Sequence, residues 1–286
     1  MPRPCRSVLY IPGSKERALE KARELPCDAI IFDLEDAVAP DEKPHARDLL
    51  ARVLRDFDYG NRLRIVRING LDSEWGRADA DAMDKAIAGG ARVDAVLVPK
   101  VNRAADLDAV AAAVPGTDLW AMMESAAGML NAAEIAAHPQ LKGMVMGTND
   151  LARELNSRFR PDRLPLQTGL GLCLLAAKAH GKLIVDGVYN AFKDDEGLWA
   201  ECHQGRDMGF DGKTLVHPAQ VQIANAAFAP TEAEIDLARR QIAAYDAVLA
   251  TGGGVAVVEG RIVENLHIET AKATLARAEA IAALAN

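Results

Sequence analysis

Short apolar runs recur along this chain, and nearly every one ends on a polar or charged residue. Val8-Leu9-Tyr10-Ile11 leads into Pro12-Gly13, Ala29-Ile30-Ile31-Phe32 into Asp33-Leu34-Glu35-Asp36, and Arg64-Ile65-Val66 into Arg67-Ile68-Asn69. Val96-Leu97-Val98 meets Pro99-Lys100, Trp120-Ala121-Met122-Met123 meets Glu124, and Met144-Val145-Met146 meets Gly147-Thr148-Asn149-Asp150. Leu183-Ile184-Val185 before Asp186 and Thr214-Leu215-Val216 before His217-Pro218 bring the set to eight. Parallel strands buried on both faces read as unbroken apolar runs, and helix-like stretches separate nearly all of these. The pattern predicts an α/β fold of the (β/α)8 TIM-barrel class, whose functional groups gather where strands end and loops begin.

Helix signals fall between the runs. Ser14 is placed to cap a helix over residues 15–25, Asp41 precedes one over 43–54, and Asn102 one over 103–114. Residues 162–180 read as helical although Gly169 and Gly171 interrupt them, which close packing would explain. Residues 156–165 read as a long charged loop after the sixth strand, in a position that often helps form a ligand site. After Pro230, Thr231 and Glu234 have capping-box spacing at the start of an amphipathic helix over 231–249. Gly252-Gly253-Gly254 breaks the chain before a small hairpin over 256–263 and a helix over 265–284. Residues 1–250 are therefore expected to form the catalytic barrel. Residues 251–286 form an extension that serves as a barrel cap, a hinged lid or an arm on a neighbouring subunit.

Composition narrows the functions. Half of the 286 residues are hydrophobic, no apolar run approaches a membrane span, and the formal net charge is -8. That charge gives no electrostatic basis for binding nucleic acid. The amino terminus leads straight into the first run without a secretory core, so a cytoplasmic protein is expected. Cys5, Cys27, Cys173 and Cys202 are too scattered for a zinc or redox site and read as small buried residues.

The candidate chemistry lies at adjacent strand ends. Glu124 and Asp150 follow the fifth and sixth runs, and two carboxylates without histidine or thiolate neighbours are hard oxygen ligands suited to Mg²⁺. The competing reading is a helix cap and a salt bridge. Arg67 offers a planar fork to a substrate carboxylate, unless Asp33, Glu35 or Asp36 takes it as a structural partner. The same acidic cluster is placed to hold a metal's waters. Backbone N–H groups of Gly147, Thr148 and Asn149 are candidates for stabilising developing negative charge. Lys15, Arg17 and Lys21 form a basic stripe that either meets phosphates or is simply solvated. His217, before a proline, reads as a fixed turn.

In order, the segments RSVLYIPGSKERALEKA, DAIIFDLEDAV, RIVRING, VLVPKV, MMESAAGM, GTNDL, LVHPAQV and GRIVENLHIETA resemble the citrate lyase β-subunit and malyl-CoA lyase group, the HpcH/HpaI aldolase and CitE-like family. The resemblance spans nearly the whole chain. It implies that Glu124 and Asp150 bind Mg²⁺, with Mn²⁺ as a possible substitute, and that Arg67, Gly147, Thr148 and Asn149 hold the acid end of the substrate. It further implies that Lys15 and Arg17 help seat coenzyme A, and that trimers or hexamers form with the tail over a neighbouring active site. Glu264 stands where several family lyases carry an aspartate implicated in proton transfer; Asp36 is the second candidate for that role. The implied activity is Mg²⁺-dependent hydrolysis of (3S)-malyl-CoA to malate and CoA. Carbon–carbon cleavage of malyl- or citramalyl-CoA, and a citrate lyase β-like role that needs an acyl carrier, are the alternatives. Malyl, methylmalyl, citramalyl and citryl groups all remain open.

Overall fold

The computed structural model describes residues 3–284. They fall into two compact units, residues 5–227 and a second comprising 228–284 with residues 3–4. The second unit thus begins upstream of residue 250.

In the first unit the eight apolar runs become β1 Ser7–Pro12, β2 Ala29–Asp33, β3 Leu63–Arg67, β4 Ala95–Val98, β5 Asp118–Met123, β6 Leu141–Met146, β7 Leu183–Asp186 and β8 Gly212–Leu215. All neighbours are parallel, and β8 pairs back to β1 through Ser7↔Lys213 to Leu9↔Leu215, closing the barrel. The intervening helices are α1 Glu16–Lys21, α2 Lys43–Asp56, α3 Gly76–Ala88, α4 Ala104–Ala113, α5 Ala126–Leu130, α6 Ala132–Ala136, α7 Thr148–Glu154, α8 Gln167–Ala179 and α9 Asp195–Met208, followed by α10 Val221–Phe228. Side chains alternate across each strand. One set, including Val8, Ile31, Ile65, Leu97, Trp120, Val145 and Val185, packs into a single cluster that fills the barrel. A Cβ on Gly143 would run into the Trp120 indole, so this glycine admits the largest core side chain. The strands pair in register, with Asp33 opposite Arg67 and Met123 opposite Met146, so groups at their carboxyl ends become neighbours.

Several local signals behave differently from their sequence reading. Ser14 does not cap α1: the N-cap is Lys15, with no side-chain bond, and the helix ends at Lys21. The helix after the charged loop starts only at Gln167, because the Asp162 oxygens bind the Leu164 amide and the Arg160 guanidinium to make a tight loop. Within it, Gly169 meets Leu151 and Met129 closely, whereas nothing crowds Gly171. His217 behaves as read, its Nδ1 accepting the Ala219 N–H as the cap of a short 3₁₀ turn.

In the second unit, α11 Glu232–Ala250 begins with Thr231 and Glu234 bonded in the expected capping box. Strands β9 Ala256–Val258 and β10 Arg261–Val263 pair antiparallel, joined by Glu259 and Gly260, both at positive φ. Those dihedrals match the twist of a two-residue hairpin turn. Helix α12 Asn265–Leu284 follows and packs on α11. Among the described residues, no helix is long and apolar enough to cross a membrane.

Candidate active site

Four strand ends build the site. Asp33, at the end of β2, accepts the Glu35 and Ala37 amides at 2.9 and 3.0 Å, folding the loop that follows back over its own carboxylate. Both its oxygens also bind Arg67, from Nε at 2.7 Å and Nη2 at 2.6 Å. One edge of the Arg67 fork is therefore spent on Asp33, the structural partnership weighed from sequence. The remaining nitrogen, Nη1, lies 2.9 Å from Glu35 and 3.6 Å from Asp36. The guanidinium also sits 5.0 Å over the Tyr10 ring. Burial would lower the Arg67 pKa, but the Asp33 charge and hydrogen bonds hold it well above its usual value, so the residue is a permanent cation.

Glu124, after β5, is 3 % exposed. Its Oε1 accepts the Lys100 N–H at 2.7 Å. A Cβ on Gly147 would collide with Glu124 Cβ and come within 2.8 Å of Oε2, so glycine is needed there for the acid to stand where it does. The Gly147 N–H is itself committed to Met123 O, while Thr148 and Asn149, at the start of α7, line the same cavity as Glu124. Burial raises the Glu124 pKa from 4.5 to about 7, with the charges of Glu35 and Asp150 adding to the effect and the Lys100 amide and Arg67 opposing it. Asp150, in the first turn of α7, is ion-paired with Arg153 at 2.6 Å and partly exposed.

These groups line one cavity of about 300 Å³, bounded by Tyr10, Asp33, Asp36, Arg67, Glu124 and the segment Gly147-Thr148-Asn149-Asp150. A buried carboxylate whose affinity for a proton is raised, lining the same cavity as a second carboxylate, is a donor set that a hard divalent cation satisfies. The residues present therefore fit Mg²⁺.

The remaining candidates lie elsewhere. Lys15 is exposed and pairs with Glu42 at 3.3 Å, and Arg17 is exposed on α1. Neither lines this cavity. Glu264 is exposed in the second unit just before α12, its N–H donating to His267 Nδ1. The loop over 156–165 contributes to a larger cavity of about 480 Å³, which shares Thr148, Asn149, Val188 and Asn190 with the first.

Sequence reading assigned no role to three groups that shape the site. Lys100 adopts a left-handed conformation, φ 51°, and its Nζ binds Glu35 Oε1 at 2.6 Å. Tyr10 stacks beneath Arg67. Lys43 is buried, its ammonium binding Leu34 O, Glu35 O and Asn69 Oδ1 and so pinning the loop after β2. The position of Lys100 at a strand end was the one available signal; its backbone conformation has none in the sequence.

The chain is 72 % identical over 280 residues to the (3S)-malyl-CoA thioesterase of Cereibacter sphaeroides, covering 98 % of this chain and 96 % of that protein. It is 35 % identical to the L-malyl-CoA/β-methylmalyl-CoA lyase of the same organism, again over 98 % and 96 %. Among solved structures, CitE of Mycobacterium tuberculosis, in complex with magnesium, acetoacetate and coenzyme A, superposes with a TM-score of 0.81 at 30 % identity, covering 97 % of this chain and 98 % of that one. With residues 6–218 matching the HpcH/HpaI aldolase/citrate lyase family, this chain belongs to that family.

Proposed function

We propose that this protein is a Mg²⁺-dependent (3S)-malyl-CoA thioesterase. The observation that carries the reading is the convergence of Glu124, Asp150 and Arg67 on one 300 Å³ cavity in a chain 72 % identical to a thioesterase of that specificity.

Glu124 and Asp150 would hold the metal. When bound, Mg²⁺ supplies Lewis-acid polarisation to substrate oxygens. Arg67, which lines the cavity, presents a fixed positive charge to the malyl carboxylate, while Asp33 stops the guanidinium from rotating. The Thr148 and Asn149 amides supply further donors at the acid end. Asp36, whose side chain is 62 % exposed at the rim, is a carboxylate able to orient water toward a thioester carbonyl; Glu264 is the second candidate for that proton transfer. Lys15 and Arg17 remain our candidates for coenzyme A phosphate contacts, and Mn²⁺ is expected to substitute for Mg²⁺.

The 35 % identity to malyl-CoA lyases supports one alternative, carbon–carbon cleavage to glyoxylate and acetyl-CoA. Both begin from the same bound ester, so products decide. Purified protein with (3S)-malyl-CoA and Mg²⁺ is expected to release malate and free CoA in equal amounts; glyoxylate with acetyl-CoA and no free thiol sinks the thioesterase reading. Unaided turnover also separates it from a subunit that needs an acyl carrier. We further propose a homotrimer or hexamer built through the C-terminal extension. The exposed Val257, Ile262 and Leu266 of that extension support this. A cytoplasmic location is part of the same reading, supported by the free thiols Cys27, Cys173 and Cys202.

A further inference from the structure

Lys100 occupies a backbone conformation that costs a non-glycine residue energy, and it does so beside the candidate site. The left-handed turn has two consequences. It aims the Lys100 N–H at Glu124 Oε1, 2.7 Å away, so that Oε2 is the oxygen left toward Gly147 and the β6 end. It also sends the ammonium across to Glu35 Oε1, at 2.6 Å. Glu35 is a buried carboxylate whose other oxygen lies 2.9 Å from Nη1 of Arg67, a residue that lines the cavity. Glu35 is thus shared between two cations, and whatever charge Lys100 takes from it is charge that Glu35 does not spend on Arg67.

We propose that Lys100 is a positioning residue with two separable actions: its left-handed amide orients Glu124 for the metal, and its ammonium shares Glu35 with Arg67, so that Glu35 neutralises less of the guanidinium charge that meets a substrate carboxylate. The proposal rests on the functional reading above for its substrate and metal.

The two actions respond to different substitutions. Asparagine tolerates left-handed φ whereas a β-branched residue does not, and both Lys100→Asn and Lys100→Val remove the ammonium. Mg²⁺ binding measured by calorimetry, without substrate, is expected to be unchanged in Lys100→Asn and weakened roughly 10–100-fold in Lys100→Val, as when an outer partner of a metal ligand is lost. Equal Mg²⁺ affinity in the two variants overturns the backbone action. In turnover assays Lys100→Asn is expected to raise KM by about tenfold with kcat changed by less than about threefold, and Lys100→Arg to restore KM, as expected for lost substrate binding. If Lys100→Val does not fold, a double-mutant cycle still decides the side-chain action: in a Glu35→Gln background, Lys100→Asn should no longer raise KM. A full KM increase in that background overturns it. Failure of the wild-type protein to turn over (3S)-malyl-CoA would instead reject the functional reading, and the calorimetric comparison would still test the role of Lys100.

Discussion

Arg67 has one edge bonded to Asp33 and its remaining nitrogen 2.9 Å from Glu35, and the residue lines the cavity, so substitutions there divide stability from function. Arg67→Ala leaves Asp33 buried without its cation and Glu35 with Lys100 alone. Unfolding in urea should show a loss of about 3–5 kcal/mol, the usual consequence of removing one partner of a buried pair. Arg67→Lys keeps the charge and much of the stability but has no second prong, and kcat/KM should fall roughly 100-fold through KM. Glu124 gives a pH dependence. Its folded pKa is raised from 4.5 to about 7, so its protonated form favours the fold at low pH and that contribution fades as pH rises through 7. Metal-free protein should therefore lose up to about 3 kcal/mol between roughly pH 5 and 8. Added Mg²⁺ should offset the loss increasingly over that window, and its binding at pH 6 should release close to one proton. Melting curves with EDTA or Mg²⁺, and calorimetry in two buffers, measure both effects; a metal-free melting temperature flat across this range would contradict the assignment.

Turns and caps transmit these choices into local geometry. Gly147 does not serve as an anion donor, since its N–H belongs to Met123 O; its function is to leave room for Glu124. Gly147→Ala should accordingly weaken Mg²⁺ binding by roughly 10–100-fold and, through overpacking against Glu124, destabilise the metal-free protein by about 1–3 kcal/mol. An alanine that binds Mg²⁺ as glycine does would remove the steric argument. The Thr231 and Glu234 capping box was readable because both partners lie within one turn, and Thr231→Ala should cost about 1 kcal/mol in chemical unfolding. Ser14 has a similar sequence signature but no such partner. The charged loop over 156–165 was recognisable as a loop, whereas its Arg163 anchor was not. That arginine reaches across to Asp186, at 2.7 Å, on a different strand.

Across the whole barrel, closure depends on buried ionic contacts as well as on the apolar core. Asp186 is fully buried between Arg163 and Lys213; burial would raise its pKa, but those two cations hold it below the usual value. Asp186→Asn leaves two buried cations short of an anion and should destabilise the protein by about 3–5 kcal/mol in urea, without removing any group that lines the 300 Å³ cavity. Truncation before Gly252 tests the C-terminal extension. Loss of assembly and turnover together is the expected result, read by light scattering and product assay.

Fold class, strand number, the capping box and the placement of Glu124 and Asp150 beyond adjacent strand ends were legible in the chain because each depends on local periodicity or on the order of parallel strands. Beyond the register shift after Leu119, β5 and β6 run in step to Met123 opposite Met146 and carry the residues that follow to a common rim, which is how Glu124 and Asp150, 26 positions apart by their numbering, come to line one cavity. The division of Arg67 between Asp33 and Glu35, the raised affinity of Glu124 for a proton, the space kept by Gly147 and the left-handed turn at Lys100 were not legible. Each arises from burial and from distances between groups on different strands, quantities that exist only once the barrel has closed.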